Sequence, residues 1–357
     1  MSRVLIKGNE AIGEAAIRAG CRFFFGYPIT PQSELPEYLS RELPKVGGVY
    51  LQAESEIGAI YMVYGAAATG ARVMTSSSSP GISLKQEGIS YIAAAELPCV
   101  IVNIMRGGPG LGSIQPSQSD YFQATRGGGH GGYRTIVLAP ASVQEAVDLV
   151  ALSFDLSEKH RIPVMLLGDG VLGQMMEAVE FKENNRAVGY FKPWIVGSKK
   201  EYKKKNCINT LYLESEKLED HNMALQRKYE AIKVTETRAE VHQVKDADLV
   251  IAAYGITARV AKAAAELARA DGLKVGVFRP ITLWPFPEKE LNKATKGARG
   301  VLTVEMSMGQ MVEDVRLSIN GRIPVEFYGR LGSTVPSERE IYSQIKRLAE
   351  ELGVKAQ

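Results

Sequence analysis

Residues 55–88, SEIGAIYMVYGAAATGARVMTSSSSPGISLKQEG, carry the pattern that decides the fold. A helical stretch (SEIGAIYMVYGAAATG) passes into a short apolar strand (ARVMTSS), then turns through hydroxyl-rich residues into a second helix start. Ser55 is placed to cap the first helix, with Ile57, Ile60, Met62, Val63, Ala66 and Ala67 expected to face inward. Glu56 then falls in the first helical turn, at the mouth of a strand.

The same alternation runs through the first 180 residues. CRFFFGYP, PCVIVNIMR, YRTIVLAP and IPVMLLG read as buried strands, and NEAIGEAAIRAG and SVQEAVDLVALSFDLSEKH as helices. Continuous apolar strands between amphipathic helices predict an α/β fold: a parallel sheet with helices on both faces. Such sheets bind ligands at the corners beyond the carboxyl ends of their strands. Functional residues are therefore expected just after the strands.

Residues 183–245 break the pattern. They are polar, carry the run KKEYKKK at 199–205, and contain a helical stretch near DHNMALQRKYEAIKVTETRAE. They read as a connector with a helix, and the lysine run as a solvated linker. A second α/β unit follows at 246–357, with strands ADLVIAAYG, LKVGVFRPI and GVLTVEM and helices TARVAKAAAELARADG and SEREIYSQIKRLAEELG. The organisation expected is thus 1–182, connector 183–245, and 246–357.

Composition narrows the function. A net charge of +3 over 357 residues is too small to imply a nucleic-acid or membrane partner. Cys21, Cys99 and Cys207 are scattered with no CxxC pair, which speaks against an iron–sulfur cluster or zinc site built by this chain alone and fits a reducing compartment. The N-terminal stretch lacks a signal-peptide core, and no segment approaches the ~20 apolar residues of a membrane span. The expected location is the cytoplasm.

Four corners invite chemistry. In GYPITP, Pro28 and Pro31 stiffen the backbone around Thr30, either to end a strand or to aim its hydroxyl. In QAESEIGAI, Glu56 is either a helix-start signal or an acid at the sheet edge. SSSSPGISL offers free backbone N–H groups that could hold an anion, or serines that merely cap a helix. In NIMRGGPGLGSIQPSQSD, Arg106 ends a strand before a loop that lets backbone approach a ligand; it either reaches water or grips a carboxylate with two parallel hydrogen bonds. Two other motifs are set aside. GDG at 168–170 resembles the start of a diphosphate–magnesium motif, but Asn184 and Asn185 come too early and Asn206 and Asn209 too late to complete it, so no metal is assigned. His130, in RGGGHGGYR, reads as a loop residue.

Taken together the corners resemble the α subunit of 2-oxoacid:ferredoxin oxidoreductases. KGNEAIGEAAIRAGC, GYPITPQSE, QAESEIGAI, SSSSPGISL and RGGPGLG follow in that family's order, as do AYGITAR, RPITLWPFP and VEMSMGQM. The resemblance spans nearly the whole chain. It implies a thiamine-diphosphate-binding fold (the pyrimidine-side domain) followed by a transketolase C-terminal-like domain. It also implies that Glu56 is the catalytic carboxyl facing the aminopyrimidine and that Tyr27 and Pro28 lie against the cofactor. Glu54 keeps the reading of strand-end surface. Thr30 and Arg106 are implied to bind the 2-oxoacid, Arg106 through its carboxylate.

The resemblance further implies a chain that is no enzyme alone. Magnesium and the diphosphate motif belong on a β subunit, iron–sulfur clusters on that subunit or a ferredoxin-like one or ferredoxin itself, with a γ subunit and coenzyme A completing the system. The product would be an acyl-CoA. After Arg106 the loop GGPGLG has Gly110 and Leu111 where 2-oxoglutarate-type relatives carry hydroxyls. Leu111 would leave a distal carboxylate desolvated and suits a branched alkyl group. The wording is most like the 2-oxoisovalerate type, with a 2-oxoglutarate enzyme as the alternative and a non-catalytic assembly subunit as the rival of another class.

Overall fold

The computed structural model describes residues 3–182, 192–196 and 206–356. The lysine run 199–205 and Asn184 and Asn185 lie outside the described residues. The chain opens with β1 (Val4–Lys7), α1 (Gly8–Arg18), β2 (Phe23–Gly26), α2 (Glu34–Glu42), β3 (Val49–Gln52), α3 (Glu56–Ala68) and β4 (Val73–Ser77). There follow α4 (Ser79–Ala94), β5 (Cys99–Met105), β6 (Ile136–Leu138), α5 (Val143–His160), β7 (Pro163–Asp169), α6 (Gly170–Gln174) and β8 (Met176–Val179). Beyond α7 (Ser215–Thr235) come β9 (Ala239–His242), β10 (Leu249–Ala252), α8 (Gly255–Ala270), β11 (Val275–Pro280) and β12 (Thr282–Trp284). The chain closes with α9 (Glu288–Ala294), β13 (Gly300–Glu305), α10 (Met311–Ile319), β14 (Val325–Gly329) and α11 (Glu338–Glu351).

Two main sheets result. The larger runs β12-β6-β7-β5-β4-β2-β3 and is parallel except at β12. Its central strands β4, β5 and β7 are buried at every residue, which is why they read as largely apolar runs without alternation. The smaller runs β14-β13-β10-β11-β9, parallel except at β9. The expected parallel α/β architecture is present in both halves. Ser55 caps α3 as expected, its Oγ accepting from the Gly58 N–H at 3.1 Å. Of the residues expected to face inward from α3, Ile60, Val63 and Ala67 are buried, but Ile57 is 48% exposed. The buried stripe of the helix runs instead through Glu56, Ala59, Ile60 and Val63, a quarter turn away.

Several features escaped the sequence reading, four of them strands or strand pairs that shape the sheets. β3, β14 and the β1–β8 pair are short strands with exposed or half-buried residues and so lack an apolar run. The fourth is β12, which follows the second sheet's β11 yet pairs antiparallel with β6 of the first. The two sheets are thereby interleaved. Their junction centres on Gln118, which is fully buried and has every polar group bonded across it. Its N–H donates to the Met306 carbonyl (2.9 Å) and its Nε2 to the Tyr254 carbonyl (2.9 Å). Its Oε1 accepts from Thr257 Oγ1 (2.8 Å) and the Met306 N–H (3.0 Å), and its carbonyl accepts from the Tyr254 hydroxyl (3.1 Å).

Replacing Gln118 by Leu keeps the volume but strands one buried N–H and one hydroxyl, and leaves the Tyr254 carbonyl with only the Ala258 N–H as donor. We expect Gln118→Leu to cost about 3–5 kcal/mol, seen as a melting temperature lower by roughly 6–10 °C. A change within about 1 °C would show that the side chain's bonds across the junction contribute nothing net.

Candidate active site

All four corners singled out in the sequence lie beyond the carboxyl ends of parallel strands at one edge of the large sheet: Tyr27–Gln32 after β2, Glu56 after β3, Ser78–Gly81 after β4, and the loop from Arg106 after β5. The first corner is held from below. Asn9 Nδ2 and Gln174 Nε2 both donate to the Pro31 carbonyl, at 2.8 and 3.1 Å. Ser76 Oγ donates to Oε1 of the buried Gln32 at 2.5 Å, tying this corner to β4. Tyr27 is half-buried, and Pro28 and Thr30 are exposed at the tip.

Arg106 does not reach out to water; it is 7% exposed. Its Nη1 donates to the Thr30 carbonyl (3.0 Å) and its Nη2 to the Leu111 carbonyl (3.2 Å). Nε is buried with no partner. The guanidinium therefore gathers Thr30, Arg106 and Leu111 into one cluster, with N–H capacity unspent. Gly112 makes the loop possible: it sits at φ +59°, and a Cβ there would fall 1.9 Å from the Gly107 carbonyl oxygen. The Leu111 side chain, expected to offer pocket wall, is 85% exposed, so within this chain only its carbonyl is engaged.

The third corner joins the other two. Ser79 Oγ accepts from the Arg106 N–H (3.0 Å) and donates to Asp120 Oδ2 (2.6 Å), which Asn103 Nδ2 also reaches at 3.0 Å. Burial pushes the Asp120 carboxyl above the usual aspartate range, against these two bonds. On the other side of the same turn lies Glu56, 6% exposed, with no protein hydrogen bond to its carboxylate among the described residues. A Cβ on Gly81 would fall 2.7 Å from Glu56 Oε1 and 2.0 Å from Ser77 Oγ, so glycine is what lets carboxylate, hydroxyl and helix backbone share this space. The hydroxyls of Ser77 and Ser78 are buried and unpartnered. A free carboxylate beside two free hydroxyls, in a cradle a Cβ would fill, fits a nitrogen heterocycle that both donates and accepts.

Sequence reasoning missed Asn9, Gln32, Asn103 and Asp120, polar residues whose partners are distant in sequence. It also missed Lys85, whose signal was present: it stands in the buried stripe Gly81, Ile82, Lys85, Ile89, Ile92 of α4. Ser333, from the loop after β14, is likewise new to the site. Its buried, unpartnered Oγ lies 1.9 Å from where a Gly107 Cβ would be, so the second half of the chain closes on the arginine corner. Glu54 is exposed, as expected. His130 lies exposed in its glycine loop, edge-on to Tyr91 at 5.9 Å.

Asp169, of the GDG set aside above, is a buried cap. Its Oδ1 accepts from the Val171 and Leu172 N–H groups at 2.9 and 3.1 Å. Burial nonetheless pushes its carboxyl up to about 6, above the 3.8 of an ordinary aspartate. A folded value raised in this way favours the protonated group, so its stability contribution is full below pH ~4 and lost as pH rises through ~6. Asn at this position keeps the cap acceptor without the charge. We expect the wild type to lose about 2–3 kcal/mol relative to Asp169→Asn between pH 4 and 6, measured by denaturant unfolding across that range. Parallel curves would remove the buried charge from the account.

Comparison with known proteins gives a consistent picture. Residues 14–246 match the family described as pyruvate flavodoxin/ferredoxin oxidoreductase, thiamine diphosphate-binding, and residues 247–341 match pyruvate:ferredoxin oxidoreductase core domain II. The chain is 51% identical over 354 residues to the ketoisovalerate oxidoreductase subunit VorB of Methanothermobacter marburgensis, covering 98% of this chain and 99% of that one. Among solved structures it resembles the 2-oxoglutarate:ferredoxin oxidoreductase of Magnetococcus marinus with 2-oxoglutarate, coenzyme A and succinyl-CoA bound. That match has TM-score 0.87 and 28% identity and covers 98% of this chain but only 65% of the other. A split-gene transketolase, inactive β4 tetramer, matches at TM-score 0.61 and 15% identity over 96% of this chain and 97% of that one, a likeness of fold alone.

Proposed function

The chain belongs to the pyruvate flavodoxin/ferredoxin oxidoreductase family, and we propose that it is the α subunit of an enzyme that oxidatively decarboxylates a branched 2-oxoacid, 2-oxoisovalerate or a near relative, to its acyl-CoA with ferredoxin as acceptor. The observation that carries this reading is the buried Arg106 guanidinium, bonded to the Thr30 and Leu111 carbonyls, with the Ser79–Gly81 turn between it and the Glu56 cradle. It sets a cation for a carboxylate beside an acid for a heterocycle.

Thiamine diphosphate, when bound, supplies the electron sink that decarboxylation of a 2-oxoacid requires. Glu56, with Tyr27 and Pro28, is the set that would hold its pyrimidine side, and the free hydroxyls of Ser77 and Ser78 fit the same ring. The Glu56 carboxylate accepts and returns a proton at a ring nitrogen. Arg106 binds the substrate carboxylate through its unspent N–H groups, and Thr30 orients the acid from the facing corner, so the oxo carbon is presented in one pose. The Thr30 and Leu111 carbonyls fix the guanidinium plane beforehand, which lowers the ordering cost of binding. Asp120, Asn103 and Ser79 hold the strand end from which Arg106 springs.

Leu111 gives the preference for a branched alkyl group. Its exposed side chain is apolar wall waiting for cover by substrate or a neighbouring subunit. We place the cofactor's diphosphate and magnesium on a β subunit, the iron–sulfur clusters on that subunit or a ferredoxin-like one, and a γ subunit alongside. Exposed Ile57, Tyr61 and Leu84 on α3 and α4 offer such a partner an apolar face. We assign the cofactor side of the site to residues 1–182, the transketolase C-terminal-like unit to 246–357 and a connector to 183–245. We place the protein in the cytoplasm; no described helix is long and apolar enough to cross a membrane.

Reconstituted with its partners and a viologen or ferredoxin, the complex should show a higher kcat/KM for 2-oxoisovalerate than for 2-oxoglutarate, and Leu111→Thr should narrow the ratio. A clear advantage for 2-oxoglutarate would overturn the substrate assignment. Arg106→Ala removes the carboxylate's charge-assisted partner, worth roughly 2–4 kcal/mol. The expected result is a KM for the 2-oxoacid raised on the order of 30-fold or more with cofactor affinity little changed. A KM within threefold of wild type at unchanged kcat would remove Arg106 from the substrate site.

A further inference from the structure

Lys85 is the only lysine buried among the described residues, and its side chain is fully buried. It lies four residues after Gly81 on the buried face of α4, a helix that packs against α3, β5 and β7. Its Nζ donates to Thr75 Oγ1 at 3.0 Å, and no other hydrogen bond takes up the ammonium, which has three donors to place. A buried ammonium with one neutral partner is unstable without a countercharge. Gly81, one turn back along the same buried stripe, lies against Glu56, the first residue of α3: a Cβ on Gly81 would fall 2.7 Å from Glu56 Oε1, and Glu56 is the charge that favours the protonated form of Lys85.

The remaining charged groups around this helix are committed elsewhere. Arg106 is turned to Thr30 and Leu111, and Asp120 to Ser79 and Asn103. Glu87 accepts from the Tyr61 hydroxyl on the exposed face, and Arg126 and His130 are exposed. Lys85 and Glu56 are thus left to each other through space, since neither a hydrogen bond nor a direct ion pair joins them among the described residues. From this geometry we propose that Lys85 is a positioning residue: it is the buried countercharge that holds the Glu56 carboxylate at the sheet edge, ready for its ring partner.

The proposal rests on the role given to Glu56 above, but it makes a statement about the chain itself. Burial pushes the Lys85 ammonium down to about 8, and Glu56 is the group that opposes the fall. A carboxyl that shares a proton with a heterocycle works best when it is both desolvated and fixed. A cation behind it supplies the fixing without occupying the side the ring approaches. A lysine placed only to fill space beside Thr75 would carry no relation to Glu56.

The test uses the full-length chain without cofactor, so it does not depend on the enzyme's activity. With lysine 13Cε-labelled, one resonance should titrate near pH 8, well below the ordinary lysine range, and vanish in Lys85→Met. In Glu56→Gln that resonance should titrate lower still, by roughly one pH unit or more. An unmoved titration in Glu56→Gln, or a Lys85 resonance titrating in the ordinary range, overturns the proposal. Thermal unfolding of the two single variants and Glu56→Gln/Lys85→Met gives the second arm. The shift produced by Lys85→Met should be more favourable by about 4 °C or more when residue 56 is Gln than when it is Glu. If a single variant fails to fold while the double variant folds, the coupling is present in its largest form; equal shifts, or loss of folding in both backgrounds, refute it. Thiamine diphosphate titration of reconstituted wild type and Glu56→Gln reports separately on the cofactor reading: equal affinities there would dismiss Glu56 as its partner while leaving the Lys85–Glu56 pair intact.

Discussion

The arginine loop at the sheet edge depends on a single buried amide. Gln118 exchanges its backbone N–H and carbonyl, and both ends of its side chain, with residues 254–257 and 306 of the second sheet. The loop that begins at Arg106 therefore ends on a fixed point. Residues beyond it continue the seam: Tyr121 donates to Asp314 (2.6 Å), Gln310 Nε2 to the Ser119 carbonyl (2.7 Å) and Arg126 pairs with Asp314 (2.8 Å). A glycine-rich loop would otherwise sample many conformations. Pinned at both ends, it can hold a guanidinium in one plane.

The second sheet is consequently part of the site without lying at its centre. It supplies the anchor for the arginine loop, contributes Ser333 against Gly107, and lends β12 to the first sheet. Its own rigidity rests on a similar device. Glu305, buried at the end of β13, accepts from the N–H groups of Gln310, Met311 and Val312 and so fastens the start of α10, although burial pushes its carboxyl above the usual range. Buried polar groups that are fully bonded in this way specify one arrangement of the two halves. An apolar junction of equal area would be less selective about register.

A contrast runs through the polar interior. Gln118 and Glu305 are satisfied and structural. Glu56, Ser77, Ser78 and Arg106 Nε, all at one edge, are buried and have capacity left over. Native proteins keep few such groups, because each costs free energy unless something outside the chain completes it. Their clustering at three strand ends along one edge of the sheet, those of β3, β4 and β5, is the physical signature of a site, and Lys85 behind Glu56 extends it one layer inward.

Much of this was legible in the residues. Strands such as VMTSS and CVIVNIM are buried on both faces, so their apolar runs announce a parallel sheet, and the corners that follow them could be located as the place for ligands. Thr30, Glu56 and Arg106 could be named because each stands at such a corner, and motif order pointed to the family. The sequence did not disclose that Arg106 is turned inward onto the Thr30 and Leu111 carbonyls, that Leu111 itself is uncovered, or that Lys85 shares its burial with Glu56. Nor did it reveal β12 crossing between sheets. Local pattern records how each segment meets its own surroundings at periods of two or 3.6 residues. The distance between a side chain at 106 and a carbonyl at 30, or between an amide at 118 and a strand end at 306, is set only when the sheets twist, stack and close on each other. That closure is tertiary, and it is what turns four separate corners into one site.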